Sequence, residues 1–286
     1  MAGRQSKWNR AKDPEQIVVQ PRDKKIISAI YDYRYLSRYQ IQTLFDFNCV
    51  TKVNIRLRKL YDHHYISRIF LPTTRGSSKA IYLLGSKGIN IITEILGIDP
   101  LTVKKSQRES AQVKDLFLNH NLNLNEFRIA FTKAIQAHPD MKLERWINDH
   151  DCLQEYHFNY SGQKTKKTFR PDGYFRLWYK KKIYSFFIEL DQSTMSQQRF
   201  KAKVKDYLEF ARSGYYQKIF GVQYFRVLII APSIQRAINL KKTVEDVTDK
   251  IFWFTTLNKV TSNGGFGSIW LRAGHDGLHP LIEIES

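Results

Sequence analysis

Apolar residues early in the chain recur at the three-and-four spacing of amphipathic helices. Ile26, Ile27, Ile30 and Tyr33 predict a first helix over about 22–34. Ser37 is a good N-cap, and Ile41, Leu44 and Phe45 share one face of a second helix after it. Thr51 is a second candidate cap, for a helix reading TKVNIRLRKLYDHH in which Val53, Leu57 and Leu60 form the inward stripe. The period then changes. Two strands are expected at about 65–70 and 80–84, around a polar loop with Arg75, Gly76 and Lys79, and SKGINIITEILG closes the segment near residue 97. Residues 98–112 are polar, show no apolar stripe and read as a linker, and residues 1–20 read as a flexible basic arm.

The third helix adds chemistry to this pattern. Lys52, Arg56 and Lys59 lie on a face away from the apolar stripe, with Asn54 and Arg58 beside them. Such a face suits phosphates and base edges. Three helices followed by a β-ribbon predict a winged helix-turn-helix over 21–105, with Thr51–His63 as recognition helix and the loop of Arg75 and Lys79 as wing. The competing reading is a solvated basic face on a generic helical domain, and winged helices also serve protein contacts.

From about residue 106 the pattern is α/β. A helix over about 121–138 carries Leu124, Phe127, Ala130, Phe131 and Ala134 on one stripe. Strands follow at about 143–147, 167–178 and 182–191, then a helix over 197–212, a strand at 225–232, a helix from Ser233 and a strand at 250–257. This order predicts an open mixed sheet flanked by helices. The turn YKKK sets a register: if Tyr179 faces Lys182, Asp172 faces Glu189 and Arg170 faces Asp191. Alternation then gives the hairpin one apolar face and one face holding Asp172, Glu189 and Asp191.

Three crowded acids repel one another, and a divalent cation removes the repulsion. Hard carboxylate oxygens suit Mg²⁺ or Mn²⁺, which polarise a phosphoryl oxygen and activate water. Arg170, Arg176, Lys201, Lys203 and Lys205 stand near enough in sequence to hold a phosphate backbone. The alternative is that the acids pair with Arg170 and Arg176 as structural ion pairs.

The charge supports a polyanionic partner: 46 Lys and Arg against 27 Asp and Glu give +19. The apolar runs are too short for a membrane span. No apolar signal core follows the basic N-terminus, and Cys49 and Cys152 announce neither disulfide nor zinc, so a cytoplasmic setting is expected. His63-His64 ends a helix and does not match a relaxase histidine pair, no P-loop appears, and Tyr207, Tyr215 and Tyr216 read as packing rather than as nucleophiles.

RPDG (170–173), followed by IELD (188–191) after an apolar run, resembles the PD-(D/E)XK nuclease superfamily. The resemblance implies a restriction-endonuclease-like fold with Asp172 and Glu189 as metal ligands and Glu126 as the acid of the preceding helix. The superfamily's lysine is Asp191 here, which leaves Asp191 as a ligand or water-orienting acid, and Lys203 is the candidate to take the lysine's part from the next helix. The whole arrangement, with HNLNLNEF, RPDG, ELDQST and KVKDY, more closely resembles the plasmid replication-relaxation family over about residues 22–257, although Met195 stands where that family often has an acid. The resemblance implies DNA processing on plasmids or other mobile elements, as a metal-dependent endonuclease or nickase. The alternative is an inactive, DNA-binding initiator or transcription regulator. Duplex DNA is the expected partner, and a homodimer or a place in a DNA-processing complex the expected assembly.

Overall fold

The computed structural model describes residues 6, 8–70, 79–111, 115–160, 163–193 and 195–284. The chain divides into two compact units, residues 1–125 and 126–286. Among the described residues no helix is long and apolar enough to cross a membrane.

In the first unit, α1 (Pro21–Asp32) starts on a proline and buries Ile26, Ile27 and Ile30. A two-residue strand β1 (Leu36–Ser37) leads into α2 (Arg38–Leu44). Ser37 and Gln40 cap that helix reciprocally: the Ser37 hydroxyl accepts from the Gln40 amide at 3.2 Å, and the Gln40 side chain accepts from the Ser37 amide at 3.0 Å. Next comes α3 (Val50–Asp62), which buries Val53, Leu57 and Leu60 as the spacing requires, but its cap is Cys49 rather than Thr51. β2 (Ile66–Phe70) and β3 (Ala80–Leu84) pair antiparallel, and β1 lies on the other side of β3. α4 (Ser86–Leu96) ends at left-handed Gly97.

The expected linker is a helix, α5 (Pro100–Ala111). The Asp99 carboxylate accepts from the Leu101 amide at 3.0 Å, and Val103 is fully buried. The Ser110 hydroxyl accepts from the Arg34 guanidinium and donates to the Ser106 carbonyl. One buried apolar residue in twelve leaves no stripe for a periodicity test to find. The boundary also lies later than residue 105, because α6 (Asp115–Gln136) begins in the first unit. Its Asn125 is buried and donates to the carbonyls of Tyr33 and Tyr35, and Asn121 donates to the Tyr35 hydroxyl.

The second unit is built on a mixed seven-stranded sheet. β4 (Met141–Asn148) precedes a separate hairpin, β5 (Gln154–Tyr160) and β6 (Gln163–Phe169). β7 (Gly173–Tyr179) and β8 (Lys182–Leu190) follow, then α7 (Gln197–Ser213), α8 (Tyr215–Phe220), β9 (Arg226–Ala231), α9 (Ile234–Glu245) and β10 (Phe252–Thr256). The chain ends with α10 (Leu257–Asn263), β11 (Ser268–Arg272) and β12 (His279–Pro280). The sheet order is β12-β11-β10-β9-β8-β7-β4. β8, β9 and β10 are parallel and the other pairs antiparallel.

The expected strand over 167–178 is two strands in different sheets. It breaks at Pro171, which has no amide hydrogen for a ladder. The β7–β8 register is as the YKKK turn implies, from Tyr179 opposite Lys182 to Gly173 opposite Ile188.

Both faces of the hairpin are apolar, which corrects the expectation of one carboxylate face. On one side Phe175 stacks with Phe186 and meets Phe131 of α6, which also meets Phe266. On the other, Tyr174 and Phe187 lie in a core with Phe169 and with Phe200, Val204, Tyr207 and Phe210 of α7. The sheet is covered on both sides, so carboxylates find room only at the strand ends. Phe187→Ala should cost about 3–5 kcal/mol by leaving a cavity beneath α7. Trp178→Ala, at an exposed position, should stay within about 0.5 kcal/mol. Urea denaturation of the two variants checks the difference.

Candidate active site

Asp172 lies just before β7, at the break that Pro171 makes. Its amide donates to the Ile188 carbonyl at 3.0 Å, and its Oδ2 accepts from the Leu190 amide at 2.8 Å. These two bonds fasten it beside the end of β8. Glu189 is 5% exposed, because its odd-numbered position puts it on the α7 face with Phe187. α7 is capped by the Ser196 hydroxyl, and its period presents Phe200, Val204 and Tyr207 to the sheet. Lys203 lies one turn before Tyr207. The Tyr207 hydroxyl donates to Glu189 Oε1 at 2.6 Å, and the Lys203 ammonium pairs with Oε2. Thus the structure brings Asp172, Glu189 and Lys203 together.

The electrostatics follow from this geometry. Burial is the main cause that pushes Glu189 up to about 7; Lys203 opposes the shift and Asp172 adds to it. Burial also works against the Lys203 charge, but Glu189 and Asp172 outweigh it and hold that ammonium above its ordinary range. Tyr207 is raised by burial and by its carboxylate neighbour, so it is a neutral donor and a poor nucleophile. Tyr216 donates to the Gln223 carbonyl, a packing role.

Asp191 has another partner. Both oxygens of Asp191 accept from one edge of the Arg236 guanidinium, from Nε at 2.7 Å and from Nη2 at 3.1 Å, and Arg236 also donates to the Met195 carbonyl. This carboxylate is ion-paired with Arg236. Arg236 was missed in the sequence, although a basic residue in the first turn of a helix opposes the dipole and so signals an acidic partner. Glu126 belongs to α6, whose Phe131 packs on the Phe175 face, while Glu189 faces α7. Among the described residues no three His, Cys, Asp or Glu side chains converge to hold one metal ion. Lys201 pairs with Asp246, and Lys205 is exposed. The donor set that remains, two carboxylates at a strand end, suits an ion that keeps several waters and takes further oxygens from a phosphate, as Mg²⁺ does.

In the first unit, the expected DNA face of α3 is partly occupied. Arg56 is bound to buried Asp23 and to the Val18 carbonyl. Arg58 is bound to Asp62 and to the carbonyls of Ser6 and Asn9, and Lys59 to Glu15. The described part of the arm therefore runs along α3, held also by Arg10 stacked 3.9 Å over Tyr61 and by the Ala11 amide on Asp62. The arm's carbonyls and Glu15 complement the helix cations, which a search for periodicity cannot see. Lys52 and Asn54 are exposed. Lys79 is exposed too, and Arg75 lies outside the described residues.

A model of the family described as replication-relaxation matches residues 27–223, well over half the chain. The chain belongs to the replication-relaxation family. No curated protein matches it. Among solved structures, this replication-relaxation protein is similar to the restriction endonuclease FokI, at 11% identity and a TM-score of 0.31, over 85% of this chain and 43% of that one. A superposition that weak supports no inference about chemistry. The matched segment contains Asp172, Glu189, Lys203 and Tyr207, and it ends before Arg236.

Glu189 binds its proton more tightly in the folded state. Its contribution to stability is present in full below its ordinary value of 4.5 and is lost as pH rises through about 7. Carboxyl-carbon NMR of the metal-free protein should place its titration near 7. Lys203→Ala should move that titration up and Asp172→Asn should move it down. An ordinary carboxylate value in wild type would contradict the buried pairing.

Proposed function

We propose that the second unit hydrolyses a DNA phosphodiester, and that the first unit holds the duplex. What carries this reading is Lys203 of α7 set on buried Glu189 at the end of β8, next to Asp172. Asp172 and Glu189 would hold a Mg²⁺ or Mn²⁺ ion. When bound, that ion supplies Lewis acidity at a phosphoryl oxygen and a water of lowered pKa. Lys203 is the side chain that meets the charge growing on the phosphate. Tyr207 fixes the rotamer of Glu189 by occupying Oε1, and the Leu190 amide fixes Asp172. Asp191 holds the start of α9 through Arg236 and takes no part in the chemistry.

In the first unit, α1 to α3 with the β2–β3 ribbon support a winged-helix reading, and the exposed Lys52 and Asn54 sit near the start of α3, where such helices meet base edges. Lys52→Ala with Asn54→Ala should weaken duplex binding and reduce the salt slope by about 1 for the lost phosphate contact. Arg56→Ala should act on stability instead, by leaving Asp23, which is 1% exposed, without its partner. Filter binding at several salt concentrations, beside thermal melts, distinguishes the two.

Incubation with supercoiled plasmid tests the activity. Wild type should nick or linearise it with Mg²⁺ or Mn²⁺. Asp172→Asn should not, while binding DNA as well or better. If wild type leaves the plasmid uncut whichever divalent ion is supplied, the binding-only reading, an initiator or transcription regulator, replaces this one.

A further inference from the structure

A cavity lies in the second unit, on strands that also build the candidate active site but away from Asp172, Glu189 and Lys203. Its volume is about 660 Å³, and Tyr184, Tyr224, Arg226, Trp253, Arg272 and His279 are among the residues that line it. That size falls in the range of about 300–1,000 Å³ usual for small-ligand sites. The register fixes its orientation. Arg226 opens β9 opposite Phe186, and Trp253 of β10 lies between Leu228 and Arg272. With strict alternation, Tyr184, Arg226, Trp253 and Arg272 therefore share the sheet face of Phe186, whereas Glu189 points to the other.

The chemistry of the lining is specific. The Arg226 guanidinium lies 4.8 Å over the Trp253 ring and that of Arg272 5.4 Å over it. Arg226 also reaches the Tyr184 ring and donates to the Leu281 carbonyl. Trp253 is 6% exposed, whereas Tyr224 at the mouth is 83% exposed. Neither arginine is ion-paired with a carboxylate among the described residues, although Glu283 also lines the cavity. Elsewhere in this unit the half-buried guanidiniums of Arg176 and Arg236 each hold a carboxylate, Glu144 and Asp191. Two partly buried like charges on one indole, ion-paired with no carboxylate among the described residues, form a receptor for an anion. The aromatic rings and guanidinium planes around them are surfaces on which a planar ring stacks.

We propose that this cavity binds a nucleotide, with its phosphate on Arg226 and Arg272 and its base stacked at Tyr224. The nucleotide has two sources with the same chemistry: a free mononucleotide, or the phosphorylated end of a DNA strand. The site needs neither the carboxylates nor a metal ion, so it stands or falls apart from the nuclease reading.

Calorimetric titration of the full chain in EDTA tests it. The probes are a deoxynucleoside 5′-monophosphate, the same deoxynucleoside without phosphate, inorganic phosphate, and a short single strand with a 5′-phosphate. The nucleotide should bind saturably at one site, at least tenfold tighter than the nucleoside or phosphate alone. Arg272→Gln should weaken it at least tenfold and Tyr224→Ala several-fold, with melting temperatures unchanged. Asp172→Asn should bind as wild type. A single strand that binds tighter than the mononucleotide identifies a strand end, and the reverse order identifies a free nucleotide; either supports the site. Three results would overturn the proposal: no saturable binding by mononucleotide or strand, phosphate alone binding as tightly as the nucleotide, or unchanged affinity in a folded Arg272→Gln variant.

Discussion

A carboxylate buried at the end of a central strand must find a cation, and the contact between Glu189 and Lys203 organises the second unit around that need. β8 lies between β7 and β9, Glu189 pairs with Ile229 of β9 just beyond the last β7 pair, Gly173–Ile188, and the α7 face is closed by helix. Left alone in such a place, Glu189 would be neutral. Lys203 keeps the charge available, and Asp172 adds a second negative group against which the lysine is also set. Removing one partner of a buried pair costs about 3–5 kcal/mol, because the other is left uncompensated. The pair therefore fixes where α7 lies on the sheet, and the packing of its Phe210 against Phe169 and Phe187 follows from the same placement.

Much of this was legible in the sequence, for reasons that are local. A two-residue turn allows one register, so YKKK put Asp172 near Glu189. The four-residue interval from Lys203 to Tyr207 is a helix repeat, and it took both side chains to one carboxylate. What was not legible depends on contacts between segments distant in sequence. Nothing local says that Asp191 will turn to Arg236, 45 residues on. Pro171 was visible, but a proline alone does not show that the chain leaves one sheet for another. α5 escaped because polar contacts and one valine hold it, and periodicity detects only apolar stripes.

The excess of +19 has a similar lesson. A count of basic residues does not separate those that face a partner from those spent inside the fold. On α3, Arg56 and Arg58 neutralise Asp23 and Asp62 and hold the arm, while Lys52 and Asn54 stay exposed. In the second unit the distinction runs the other way. Arg226 and Arg272 look in sequence like ordinary strand residues, and the structure gathers them on one indole.

In the proposed metal centre two acids, Asp172 and Glu189, would hold the ion, and Asp191 would not. Mn²⁺ binding, followed by paramagnetic resonance on the full chain without DNA, tests this most directly. One bound ion is expected in wild type, with loss of binding in Asp172→Asn and in Glu189→Gln and retained binding in Asp191→Asn. Retained binding in either of the first two variants, or loss confined to Asp191→Asn, would contradict it.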